Sequence, residues 1–144
     1  MFDLHKLEAA IADRMDGYRL AHTLAVKEEC LALAKLFDLS EADTNSLAVA
    51  ALLHDVARPE ESASAGKIDH AAAGADIAGE FLQTLELEET RKKAIVQAIR
   101  EHRYRSGNKP TSLESQILYD ADKLDSLGAV GIARAFLFAG NVGG

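Results

Sequence analysis

"AVAALLHDVARPE", residues 48–60, decides how this chain is read. Leu47 to Leu53 is its longest apolar run, seven residues, and it ends on two ionisable side chains, His54 and Asp55. A segment apolar on every side reads as a buried helix. The His-Asp pair is therefore delivered to the interior, where an ionisable group costs desolvation unless a partner is supplied.

Working outward, the dominant period on both sides is helical. Helices are expected at Asp3–Met15, Tyr18–Phe37, Glu41–Val56, His70–Leu85, Thr90–His102, Ser112–Leu124 and Ser126–Ala139. No alternating β-branched run is long enough for a strand, and there is no internal repeat. The expected class is all-α, one domain over 1–144. "SEAD" at 40–43 offers Ser40 as an N-cap with an acid three residues on, and "TSLE" at 111–114 is a Thr/Glu capping box. Pro59 and Pro110 fall between helices. Residues 57–69 form the longest polar connection, expected to be solvated, with Glu60 and Glu61 exposed. The end, "FAGNVGG", has no cap or closing helix and is where a longer natural protein would continue.

Composition narrows the function. Sixteen Lys and Arg against 23 Asp and Glu give a net charge of −7, which disfavours binding to long nucleic acid, since that draws on accumulated cations. A small anion stays open, because Arg100, Arg103, Arg105 and Lys109 cluster in "REHRYRSGNK" against Glu101 alone. The single Cys30 excludes an internal disulfide, and no N-terminal leader pattern is present, so a cytoplasmic location is expected. No apolar run approaches the roughly 20 residues of a membrane span.

Of five histidines, all but His5 lie on apolar helical stripes. His22 leads Val26, Cys30, Leu33 and Phe37; His70 leads Ala73, Ile77 and Phe81; His102 closes a stripe from Ile95; His54 follows Ala50 and Ala51. Four imidazoles thus point inward from four helices, and a shared cation is the economical partner for all of them. Carboxylates complete the set: Asp55 adjoins His54, and in "LYDADKLD" Asp122 and Asp125 share a face while Asp120 points elsewhere. Asp125 reads equally well as part of an acidic solvated face. Mixed imidazole and carboxylate ligands suit Mn, Fe, Co, Ni, Zn or Mg. A divalent ion with open positions lowers the pKa of bound water towards neutrality.

His22, then His54-Asp55, then Asp122 within "DADKLD" resemble the H...HD...D signature of the HD-domain metal-dependent phosphohydrolases. More closely, "HAAAGADIAGEFL", "IREHRYRSG" and "SLESQILYDADKLDSLGAVGIARAF" resemble the small bacterial and archaeal subgroup that includes nucleoside triphosphate pyrophosphohydrolases. The resemblance covers roughly residues 18–139. It implies an HD helical bundle of about six or seven helices, with His22, His54, Asp55 and Asp122 as ligands of one divalent ion. His70 and His102 match positions that bind a second metal or the substrate phosphates. The implied substrate is a small phosphorylated molecule, a nucleotide or a related phosphate ester or anhydride.

In such an enzyme Asp55 could bridge two ions or accept a proton from water. Lys123 and Arg103 are candidate catalytic phosphate contacts. Arg105, Lys109 and, from the subgroup resemblance, Arg134 are candidate substrate contacts. Two other readings of the same scaffold compete. The six-residue set His22, His54, Asp55, His70, His102 and Asp122 also resembles HD-fold di-iron oxygenases, and an HD core can serve as a non-catalytic sensor or interaction module.

Overall fold

Five helix starts are fixed by side chains that accept the free amides of a first turn. Asp3 accepts from His5 and Lys6, Asp16 from Arg19, Ser40 from Asp43, Asp69 from Ala71 and Ser112 from Ser115. The computed structural model describes residues 3–104 and 109–141. Among the described residues there is no strand. The helices are α1 (Leu4–Ala12), α2 (Gly17–Leu36), α3 (Glu41–Leu53), α4 (Arg58–Ala63), α5 (His70–Gln83), α6 (Glu89–Glu101), α7 (Leu113–Leu124) and α8 (Gly128–Asn141).

All seven expected helices are present. The eighth, α4, falls in the connection expected to be solvated loop. Pro59 opens it at a position where a missing amide costs nothing. Ser40 caps α3 as expected, but the cap of α7 is Ser112, one residue later than the Thr111 of the expected capping box. Thr111 is committed elsewhere: its amide and hydroxyl donate to Glu101 at 3.0 and 2.8 Å.

Helix α3 is the centre of the bundle. Every residue from Ser46 to Leu53 is buried, and the helix packs against α1, α2, α6 and α7. Val26, Cys30 and Ala34 of α2, Ile95 and Ile99 of α6, and Ile117 and Leu118 of α7 close around Leu47 and Leu52, while α5 adds Ala75, Ala78 and Leu82 from the far side of α6. Removing these side chains from water, at about 25 cal/mol per Å², drives the bundle together and points the C-terminal end of α3 into it.

Two of these helices stop in the same way. Helix α3 ends at Leu53 with His54 as C-cap, short of the expected Val56, and α6 ends at Glu101 with His102 as C-cap. His54 Nδ1 donates to the Ala51 carbonyl and His102 Nδ1 to the Ile99 carbonyl, both at 2.6 Å. Each ring bonds a carbonyl in the last turn of its helix, where the Ile99 carbonyl also accepts from the His102 amide, and is thereby fixed with Nε2 pointing away from the helix.

The turn into α8 requires glycine. Gly128 has φ +75°, and a Cβ on Gly131 would stand 2.1 Å from the Ser126 carbonyl oxygen. Beyond that contact, α8 leaves Val130, Ile132, Phe136, Leu137 and Phe138 exposed. No helix among the described residues is long and apolar enough to cross a membrane.

Candidate metal centre

Five helix ends or faces converge on one buried locus. His22 comes from α2, His54 and Asp55 from the end of α3, Asp122 from α7; His70 opens α5 and His102 closes α6. His54, His70 and His102 are at most 1% exposed, and His22 and Asp55 are 4% exposed. The structure therefore gathers all six residues that the sequence nominated as ligands or their neighbours.

Their atoms form two adjoining groups. In the first, His22 Nε2 is 3.1 Å from Asp122 Oδ1 and 3.4 Å from His54 Nε2, and Asp55 Oδ2 stands 3.7 Å from both imidazoles. In the second, Asp55 Oδ1 is 3.4 Å from His70 Nε2 and 3.7 Å from His102 Nε2, and those two nitrogens are 3.2 Å apart. Asp55 thus turns one oxygen to each group. His22, His54 and Asp122, and separately His54, Asp55 and His102, could each hold a metal ion.

The chemistry of the first group fits a cation. His22 Nδ1 faces Asp125 Oδ2 at 2.6 Å and donates to it, and His54 Nδ1 donates to a carbonyl. With both Nδ1 atoms directed outward, the two Nε2 atoms face each other and two carboxylates, so positive charge belongs between them, as a proton on His22 Nε2 or as a cation in its place. The spacing agrees: bonds of about 2.0–2.2 Å place two ligand atoms on one ion roughly 3.0–3.6 Å apart.

Titration behaviour tells the same story. Burial opposes charge on His22, but hydrogen bonds to Asp122 and Asp125 and the charge of Asp55 carry its pKa upward. Burial lowers His54 to about 4 and His70 to about 4. For Asp55 and Asp122 burial pushes upward, yet His54, His102 and Arg58 hold Asp55 well below the carboxylate range, and His22, His54 and Lys123 do the same for Asp122. Both carboxylates are ionised and ready to take a cation.

Asp125, left open by the sequence, is a site residue. It orients His22 from behind and is itself held by Arg134 of α8, the arrangement that fixes tautomer and direction in metal-binding histidines. Glu61, expected in solvent, is only 13% exposed. Helix α4 carries it inward, where it accepts from Arg58 and Arg103 at 2.8 Å each and approaches His70 Nδ1. Glu60 pairs with Arg14.

The nominated cations divide. Arg134 lines a cavity of about 300 Å³ that reaches His22 and Asp55. Lys123 donates to Asp122 Oδ2 at 2.9 Å and to the His102 carbonyl at 2.5 Å, so it steadies a candidate ligand. Arg103 does not face this cavity; it joins Glu61 to Asp69. Lys109 is exposed and no contact brings it to the cluster. Arg105 lies outside the described residues. Sequence reasoning missed Arg19 and Arg58, which line the cavity with Arg134. The one available signal was Arg58 three residues after Asp55, a spacing that lets the two side chains meet.

A family model described as the HD domain matches residues 19–127. Over 34 residues the chain is 62% identical to the uncharacterized protein YpgQ of Bacillus subtilis (strain 168), a stretch that covers 24% of this chain and 17% of that protein. The crystal structure of a predicted HD superfamily hydrolase from an uncultured Thermotogales bacterium matches with a TM-score of 0.78 and 34% identity, over 94% of this chain and 75% of that one.

Proposed function

Since the chain belongs to the HD domain family, we propose that it is a metal-dependent phosphohydrolase acting on a small phosphorylated substrate, a nucleotide, through an activated water. The observation that carries this reading is the group of His22, His54, Asp55 and Asp122, of which His22 and Asp55 line a cavity together with three guanidinium groups. A divalent cation held there supplies Lewis acidity and a water of lowered pKa.

The chain's own residues supply the rest. Asp125 and the Ala51 carbonyl aim His22 and His54, and Lys123 aims Asp122. Asp55, kept ionised, is suited to hold a cation and orient water more than to store a proton. Arg19, Arg58 and Arg134 offer positive charge to phosphoryl oxygens, which gain negative charge in the transition state. Tyr18 and Phe138 add flat apolar surface to the same cavity, suited to a nucleobase. Arg19 stands 5.6 Å from the Tyr18 ring centre and donates to Ser62, so it is already directed.

The test is to load the protein with Mn²⁺, incubate it with nucleoside mono-, di- and triphosphates, and resolve orthophosphate from pyrophosphate. A His54→Ala control runs alongside. Product from the native protein and none from the control is expected. Equal product from both, or none from any substrate, would overturn the reading.

A further inference from the structure

Glu101 is the single acid inside the basic stretch 100–109, yet among the described residues the groups that bond it are all neutral. Resting on the metal reading above, we infer that Glu101 is a positioning residue: it clamps the end of α6 to the start of α7 and so sets Asp122 against His22 and His54, although it bonds none of the three.

The carboxylate is built into the fold. Glu101 is the last residue of α6 and is 7% exposed. Its Oε1 accepts from Gln97 Nε2 at 2.6 Å, one turn back on α6, and from the Thr111 hydroxyl at 2.8 Å. Its Oε2 accepts from the Thr111 amide at 3.0 Å, immediately before Ser112, the cap of α7. The buried Ser115 of α7 adds a further polar contact to the same carboxylate. Burying a carboxylate costs desolvation that donors must offset. Here neutral donors from two helices offset it, so the group supplies direction, with no charge pair behind it.

A helix held at one point can roll, and α7 is held at two. Near its far end Lys123 donates to the His102 carbonyl at 2.5 Å and to Asp122 Oδ2 at 2.9 Å. Consecutive residues at the end of α6, Glu101 and His102, therefore hold α7 near both of its ends. Lys123 has a flexible stem and a side chain 40% exposed, which leaves the buried Glu101 as the stiffer tie. The roll matters because Asp122 Oδ1 stands 3.1 Å from His22 Nε2 and 3.8 Å from His54 Nε2. A metal site tolerates about 0.2 Å in its ligand distances, and at the roughly 5–6 Å radius of a helix with its side chains that is a roll of about 2°.

The experiment is the Kd for Mn²⁺ of the chelator-stripped protein, by equilibrium metal analysis well below the thermal midpoint, with circular dichroism to show that the helices persist. Glu101→Met keeps the length of the side chain, removes every bond it accepts, and is expected to raise Kd about tenfold, as loss of a partner behind a metal ligand does. Glu101→Gln keeps an acceptor for the Thr111 amide, and its own amide faces Gln97 and the Thr111 hydroxyl, which can both turn to accept, so it is expected to stay within about threefold of native. Thr111→Val removes one bond and is expected to raise Kd about threefold. Leu82→Ala, a cut in the core on α5, should lower the thermal midpoint and leave Kd within about twofold. An unchanged Kd in folded Glu101→Met, or in Thr111→Val where the methionine variant does not fold, would overturn the role given to Glu101. So would equal losses in Glu101→Gln and Glu101→Met, which would make charge the operative property, or an equal loss in Leu82→Ala, which would make it general stability. Each of these spares the metal reading. No Mn²⁺ bound by the native protein would overturn that reading and this inference together.

Discussion

Asp125→Ala tests the geometry more sharply than removing a ligand, because it leaves every proposed metal contact in place. The carboxylate is 13% exposed and accepts from His22 Nδ1 at 2.6 Å, a charge-assisted bond in a shielded position. Without it His22 loses both the group that fixes its tautomer and the negative charge that makes Nε2 more basic. Partners of this kind behind metal-binding histidines are worth 10–100-fold in affinity, which is about 1.4–2.7 kcal/mol. Asp125→Asn keeps an acceptor oxygen without the charge and should fall between the variant and the native protein. Calorimetric titration of the stripped proteins with Mn²⁺ measures the effect, with circular dichroism to show that the helices persist. Two controls isolate it. Asp120→Ala removes an exposed acid from the same helix and should change nothing, and Arg134→Ala breaks the other bond to Asp125 while sparing His22. A Kd for Asp125→Ala within twofold of native, in a folded protein, would refute the claim that Asp125 orients His22.

Two further outcomes follow from burial. In the metal-free protein His54 and His70 titrate at about 4 in place of 6.5, so between those values the unfolded chain binds protons that the folded chain refuses, and stability should fall as pH drops from 6.5 towards 4. His22, shifted the other way, stabilises at low pH and loses that contribution as pH rises through its raised pKa; with two groups against one, a flat urea-denaturation profile across the window would contradict the assignment. Cys30 is fully buried and burial pushes its thiol up to about 12, so a thiol reagent at pH 8 should label it only after unfolding; rapid labelling of the native protein would show that α2 does not pack as described.

What was legible in the sequence follows from what periodicity can report. The period of a helix tells which side faces the core, and on that basis His22, His54, His70 and His102 belong to one interior, as they do. It tells nothing about how a ring is turned. That is decided at helix ends: His54 and His102 each bond a carbonyl three residues back, the helices stop there, and Nε2 is left pointing at the neighbouring group. The same limit explains the cations. Arg103 and Lys109 stood out because they cluster in sequence, yet clustering says nothing of partners, and Arg103 is consumed by Glu61 and Asp69. Arg58 and Glu61 stood in a stretch with no apolar period, where polarity alone suggests solvent. A six-residue helix opened by a proline turns that stretch inward and sets a guanidinium against Asp55. The candidate ligands can thus be read from helix faces, whereas the guanidinium that meets Asp55 comes from a residue that no face predicts.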